Sequence, residues 1–95
     1  MSKRLVVTYY CKSGERRAFI DAVKEAGVYQ ASKQDAGCLQ YEYALSMDNE
    51  DILILLERWE SEEALATHLA QPHIALMGPL KERYTENVTL EKYDA

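Results

Sequence analysis

Five consecutive apolar residues, Ile52-Leu53-Ile54-Leu55-Leu56, stand in the middle of a chain of 95 residues and end in the charged pair Glu57-Arg58. A short, unbroken apolar run closed by charge reads as a strand buried on both faces. An antiparallel strand with one wet face would alternate apolar and polar residues instead. Yet a domain this small buries only about 60–65% of its unfolded surface. The fold must therefore cover one side of this strand itself and find cover for the other.

The rest of the chain supplies the elements in a regular order. Leu5 to Tyr10 is a strand of β-branched and aromatic residues. Ser13 and Gly14 make a turn that can cap the helix after it. From Glu15, Phe19, Ala22, Val23 and Ala26 keep helical spacing, which Val28 and Ala31 extend past Gly27 as far as Gln34. Asp35-Ala36-Gly37 is a loop, with Gly37 as the left-handed residue. Cys38 to Met47 alternates, with Leu39, Tyr41, Tyr43, Leu45 and Met47 on one face and Gln40, Glu42 and Ser46 on the other. Asp48 to Asp51 is a turn, and Ile52 to Trp59 the third strand. Ser61 followed by Glu62 and Glu63 starts a second helix: a hydroxyl cap, then carboxylates at the positive end of the dipole. It runs to Ala70 with Leu65, His68 and Leu69 on one side, and stops before Pro72. A further helical piece aligns Ile74, Met77, Leu80 and Tyr84 but is strained by Gly78 and Pro79. Val88 to Tyr93 is the last strand.

This order is βαββαβ, the ferredoxin-like α+β arrangement, in one domain spanning residues 1–95. Its antiparallel sheet carries both helices on one face and leaves the other open. With no residues left to cover that open face, a second copy is the natural cover, and a homodimer joined sheet to sheet is expected.

Composition narrows the partners. The net charge is −5 and the basic residues are scattered, so nothing would neutralise a phosphate backbone and no nucleic acid is expected. Only a very short apolar stretch follows Lys3 and Arg4, too short for a signal peptide, and no run approaches a membrane span. Cys11 and Cys38 lack CxxC spacing and fit a reduced, cytoplasmic protein. Cys38 reads as a small apolar filler. There is no glycine-rich phosphate loop, metal-spaced His/Cys cluster or nucleophile elbow, so no metal or cofactor is expected.

Chemistry-bearing residues crowd into the stretch from Glu57 to His73, which holds the single Trp and both His residues. His68 is the candidate base, because an imidazole suits proton transfer at neutral pH and this one borders the buried stripe of its helix. Glu57 shares a strand face with Trp59. Buried, it needs a partner, and it either orients His68 or makes a structural hydrogen bond. Trp59 is a candidate pocket wall and equally a core residue; His73 is a candidate substrate contact and equally a helix cap. Tyr9, Tyr41 and Tyr43 would suit an aromatic ligand by stacking and hydrogen bonding, or pack in the core and dimer interface.

The segment ERWESEEALATHLAQPH resembles the signature of the antibiotic biosynthesis monooxygenase (ABM) family, small dimeric α+β barrel proteins. The run DAGCLQYE resembles that family's Glu-Pro-Gly-Cys motif before the second strand, with Asp35-Ala36 in place of Glu-Pro. The resemblance implies a cofactor-free oxygenase in which a phenol or quinol is deprotonated and its anion passes an electron to dioxygen. It equally admits an isomerase of a phosphorylated quorum-signal sugar, working through His68 and His73, with Arg16, Arg17 or Lys81 near the phosphate. A dimeric small-molecule-binding protein without catalysis is the third reading. Haem degraders of the family carry an Asn in the first strand, and Arg4 to Cys11 contains none.

Overall fold

The computed structural model describes residues 1–94. It comprises β1 (Lys3–Cys11), α1 (Arg16–Glu25), α2 (Val28–Gln34), β2 (Cys38–Leu45), β3 (Ile52–Trp59), α3 (Glu62–Leu69), a 3-10 turn (Pro72–Leu76), α4 (Met77–Tyr84) and β4 (Thr85–Asp94). The four strands form one antiparallel sheet in the order β2-β3-β1-β4. That is the expected ferredoxin-like topology, with the apolar β3 in an interior position.

Strand pairing sorts every side chain onto a face. Tyr41 lies beside Glu57, Leu5 and Lys92 in one row across the sheet. The next rows are Tyr43-Leu55-Val7-Leu90 and Leu45-Leu53-Tyr9-Val88. These rows face the helices; their inner members bury the core, in which Leu53, Leu55, Trp59, Phe19, Val23 and Val28 are almost wholly enclosed, while Leu45, Leu90 and Lys92 at the sheet edges are exposed. The opposite face carries Ile52, Ile54, Leu56 and Val6, all only half-buried in the single chain. The five-residue apolar run is thus shared between two faces, and only one of them is covered.

The structure corrects several boundaries. The expected long first helix is two, because Gly27 takes a left-handed conformation (φ 78°) and its N–H closes on the Lys24 carbonyl. Alternation in β2 breaks at Leu39, where the pairing register slips by one residue. Tyr41 and Tyr43 consequently face the helices, whereas Leu39, Leu45 and Met47 are exposed. The α1 cap is Glu15 rather than Ser13. Ser61 does cap α3, its Oγ accepting the Ala64 N–H at 3.1 Å. Leu65 and His68 are buried on α3, but Leu69 is 58% exposed. Pro79 falls in the first turn of α4, where a missing N–H deprives no intrahelical bond, so the expected strain does not arise. Both β1 and β4 extend beyond the predicted limits.

Candidate active site

The cluster at the α3–sheet junction is assembled by five segments: the loop after α2, β2, β3, α3 and the 3-10 turn. Trp59 ends β3 with its indole fully buried, and the His68 ring lies 4.3 Å from it at a 30° tilt. Tyr41 meets the same imidazole edge-on at 5.7 Å. These rings fix the plane of His68; its two nitrogens then point to two different carboxyl groups.

His68 Nδ1 is 2.7 Å from Asp35 Oδ2, and the His73 Nε2 is 3.0 Å from the same oxygen. With an N–H on each of those nitrogens, Asp35 accepts both bonds. His68 Nε2 then carries the lone pair, and it faces Glu57 Oε1 at 3.9 Å. That gap is too long for a direct hydrogen bond. Glu57 Oε1 accepts instead from the Trp59 indole N–H at 3.0 Å. Asp35, not Glu57, therefore orients His68.

Asp35 is brought here by Gly37. The chain approaches α3 so closely that a Cβ on Gly37 would sit 2.5 Å from Ala64 Cβ and 2.9 Å from Glu60 Cγ. The Glu60 N–H closes on the Gly37 carbonyl, and the Cys38 N–H on that of Asp35. A left-handed glycine (φ 82°) is what permits this contact.

Burial gives Glu57 its character. Its carboxyl is pushed above the usual range by desolvation, opposed by the Trp59 hydrogen bond and by His68. Tyr41 is pushed up to about 12 by burial and by the nearby Glu57. Tyr9 and Tyr43 are pushed up further, also by burial. All three phenols thus remain protonated hydrogen-bond donors at neutral pH.

Next to this cluster lies a cleft of about 150 Å³ between the sheet and the helices. Apolar walls come from Val7, Leu55, Ile74, Met77 and Val88; Tyr9, Tyr41, Glu57, His68 and Lys81 supply the polar groups. Trp59, Tyr43 and His73 do not line it: Trp59 and His73 hold His68 from behind, and Tyr43 packs between Tyr9 and Tyr29. Arg16 and Arg17 lie at a shallow depression elsewhere, with Arg16 bonded to the Asn49 and Ile52 carbonyls. A depression of about 180 Å³ lined by Cys11, Asp51 and Glu86 contains neither His68 nor Glu57, so it does not compete with the cleft for their chemistry.

Asp35, His68 and His73 are also the residue types that hold divalent metals, and their ligand atoms lie within 4.8 Å of one another. The spacing fits hydrogen bonds better. Metal–ligand bonds of about 2.0–2.1 Å hold tetrahedral donors well over 3 Å apart, whereas Asp35 and His68 approach to 2.7 Å.

The sequence profile for antibiotic biosynthesis monooxygenases matches residues 4–77. The chain belongs to the antibiotic biosynthesis monooxygenase family. ABM-like folds recur among solved structures. A conserved protein from Methanosarcina mazei Go1 is 22% identical, with 98% of this chain and 91% of that chain covered at a TM-score of 0.87. A Bacteroides thetaiotaomicron protein of unknown function, described as a possible oxidoreductase, is 26% identical with 99% and 97% covered and a TM-score of 0.86. A Nitrosomonas europaea protein provisionally described as an antibiotic biosynthesis monooxygenase is 17% identical, with 98% and 97% covered and a TM-score of 0.86. No curated protein matches the ABM chain. Among its described residues, no helix is long and apolar enough to cross a membrane.

Asp35 is the site residue that reasoning on periodicity and residue type passed over. It sits in a loop and looks like any turn residue. Its signal was the acidic residue two positions before Gly37, in the run that resembles the family's Glu-Pro-Gly-Cys motif.

Proposed function

We propose that this ABM protein is a cofactor-independent monooxygenase that oxidises a quinol or related phenol with dioxygen. The observation that carries the reading is the Asp35–His68 pair aimed at Glu57 beside an apolar cleft. His68 Nε2 takes the proton of a substrate hydroxyl, and Asp35 stabilises the imidazolium that forms. Two groups 3.9 Å apart are both within hydrogen-bond reach of one inserted hydroxyl oxygen. The Tyr9 and Tyr41 hydroxyls are placed to donate to the developing phenolate from the cleft wall, beside Glu57, whose carboxyl burial holds above its usual range.

The resulting anion gives one electron to dioxygen. The radical pair recombines into a hydroperoxide at ring carbon, and loss of water leaves the ring hydroxylated and oxidised. For a simple quinol the balance is quinol plus dioxygen to hydroxyquinone plus water. The apolar walls from Val7, Leu55, Ile74, Met77 and Val88 favour this chemistry by lowering the polarity around the anion.

A phospho-sugar isomerase is less well supported. Of the three cations expected near its phosphate, Arg16 and Arg17 are remote from the cleft and Lys81 alone lines it, leaving one cation for a doubly charged group. Oxygen uptake across a panel of quinols, run beside turnover of a phosphorylated ketose, separates the readings. Uptake with a quinol is expected; turnover of the sugar without any uptake would overturn the oxygenase.

The same proposal extends to assembly and location. The half-buried strip of Val6, Ile52, Ile54 and Leu56 supports a homodimer closed through the open sheet face, working in the cytoplasm. Sedimentation of the wild type and of Ile54→Glu tests the dimer. A dimer that the charge converts to monomer is expected; a wild-type monomer at high concentration would contradict it.

A further inference from the structure

Lys81 is the one lysine or arginine on the wall of the cleft. It is half-buried, and among the described residues its amine has neither an ion pair nor a hydrogen bond. Lys3 is paired with Asp94 and Lys92 with Glu62; Lys24 is unpaired among the described residues like Lys81 but stands exposed in water, whereas Lys81 is half-buried in a cleft wall. A chain with net charge −5 has acids to spare, so a shortage of partners does not explain it.

The setting gives an unpaired cation value toward a ligand. Beside Lys81 stand Ile74, Met77, Val88 and Leu90, which lower the local polarity and strengthen any charge pair formed there. Lys81 shares the cleft with the proton-transfer groups: Glu57, on β3, and His68, on α3, line the same walls, and the Thr85 hydroxyl, closing on the Lys81 carbonyl at 2.6 Å, ties the end of α4 to β4. An aromatic ring carrying both a hydroxyl and an acid can meet both groups.

Volume limits the ring count. An apolar cavity of roughly this size, about 150 Å³, accommodates benzene. The cleft has room for a single ring.

From Lys81, the volume and the His68–Glu57 end together, we infer that the cleft selects a single-ring hydroxylated aromatic acid. Its hydroxyl lies at His68 and Glu57, and its carboxylate is paired with Lys81. This rests on the oxygenase reading for the reaction but not for the binding.

The test compares gentisate, a quinol carboxylate, with hydroquinone, using calorimetric binding and oxygen uptake as separate readouts. Wild type is expected to bind gentisate about 10-fold or more tightly than hydroquinone, the order of one partly desolvated charge pair. Lys81→Met is expected to abolish that preference, while Lys81→Arg retains much of it. Equal binding of the two in wild type, a preference that survives in Lys81→Met, or no binding of either would overturn the inference. A Lys81-dependent preference without oxygen uptake from any quinol would uphold the acid subsite and overturn the oxygenase. Uptake without the preference would do the reverse.

Discussion

Asp35 and His68 come from opposite sides of the α3–sheet junction, 33 residues apart in sequence, and meet through a 2.7 Å contact between Oδ2 and Nδ1. This contact fixes which imidazole nitrogen is free and turns it toward Glu57. A buried carboxylate behind a histidine both sets the tautomer and stabilises the charge the ring acquires on taking a proton.

Asp35→Asn retains the shape of that contact but removes the charge. Turnover of an accepted quinol is expected to fall by about 100-fold or more, with little change in KM, because Asp35 stabilises the protonated ring and does not line the cleft. Steady-state kinetics check this. A raised KM at unchanged kcat would make Asp35 a binding residue.

Glu57→Gln should change how stability depends on pH. The folded protein holds the Glu57 proton more tightly than the unfolded chain, since burial raises its pKa. Its contribution is fully present below the ordinary carboxyl value of about 4. It is lost as pH rises through the higher folded value. The carboxamide oxygen of the variant accepts the same Trp59 hydrogen bond without that loss. The Tm of the variant should therefore gain on wild type as pH rises from about 4 to 8. A Tm difference that stays flat across that range would show that Glu57 is not perturbed.

Gly37→Ala should be costly for its size. The new methyl would meet Ala64 Cβ at 2.5 Å, at a φ that side chains rarely adopt. A loss of about 2 kcal/mol or more is expected, with turnover reduced more than in other variants of equal stability because Asp35 moves with the loop. Denaturant unfolding together with kinetics tests both parts.

Ser61→Ala removes only the Oγ that accepts the Ala64 N–H. A loss of about 1 kcal/mol is expected, with activity preserved below the melting transition. A larger loss of activity than of stability would mean that the start of α3 reaches the chemistry.

The fold was legible because its signals are periodic. The β-branched and aromatic residues of β1, the apolar run of β3 and the cap at Ser61 each act locally. Two local signals misled. Gly27 reads as a tolerated interruption until its left-handed conformation is seen, and Leu39 reads as part of an alternating face until the register slips there. The site was half legible. His68 and Glu57 announce themselves as rare buried polar types on regular elements. Their geometry does not, because Asp35 acts from a loop and the 3.9 Å separation of Glu57 and His68 depends on tertiary packing. Lys81 is harder still: only the cleft distinguishes it from any other lysine near a helix C-terminus.

The most direct measurement is oxygen uptake with a single-ring quinol by wild type and by His68→Gln, with calorimetric binding of the same quinol as the control for an intact cleft. The account predicts that wild type consumes oxygen in proportion to quinol oxidised, and that His68→Gln binds the quinol but turns it over about 100-fold more slowly or less. Full oxygen uptake by a folded His68→Gln protein would contradict it.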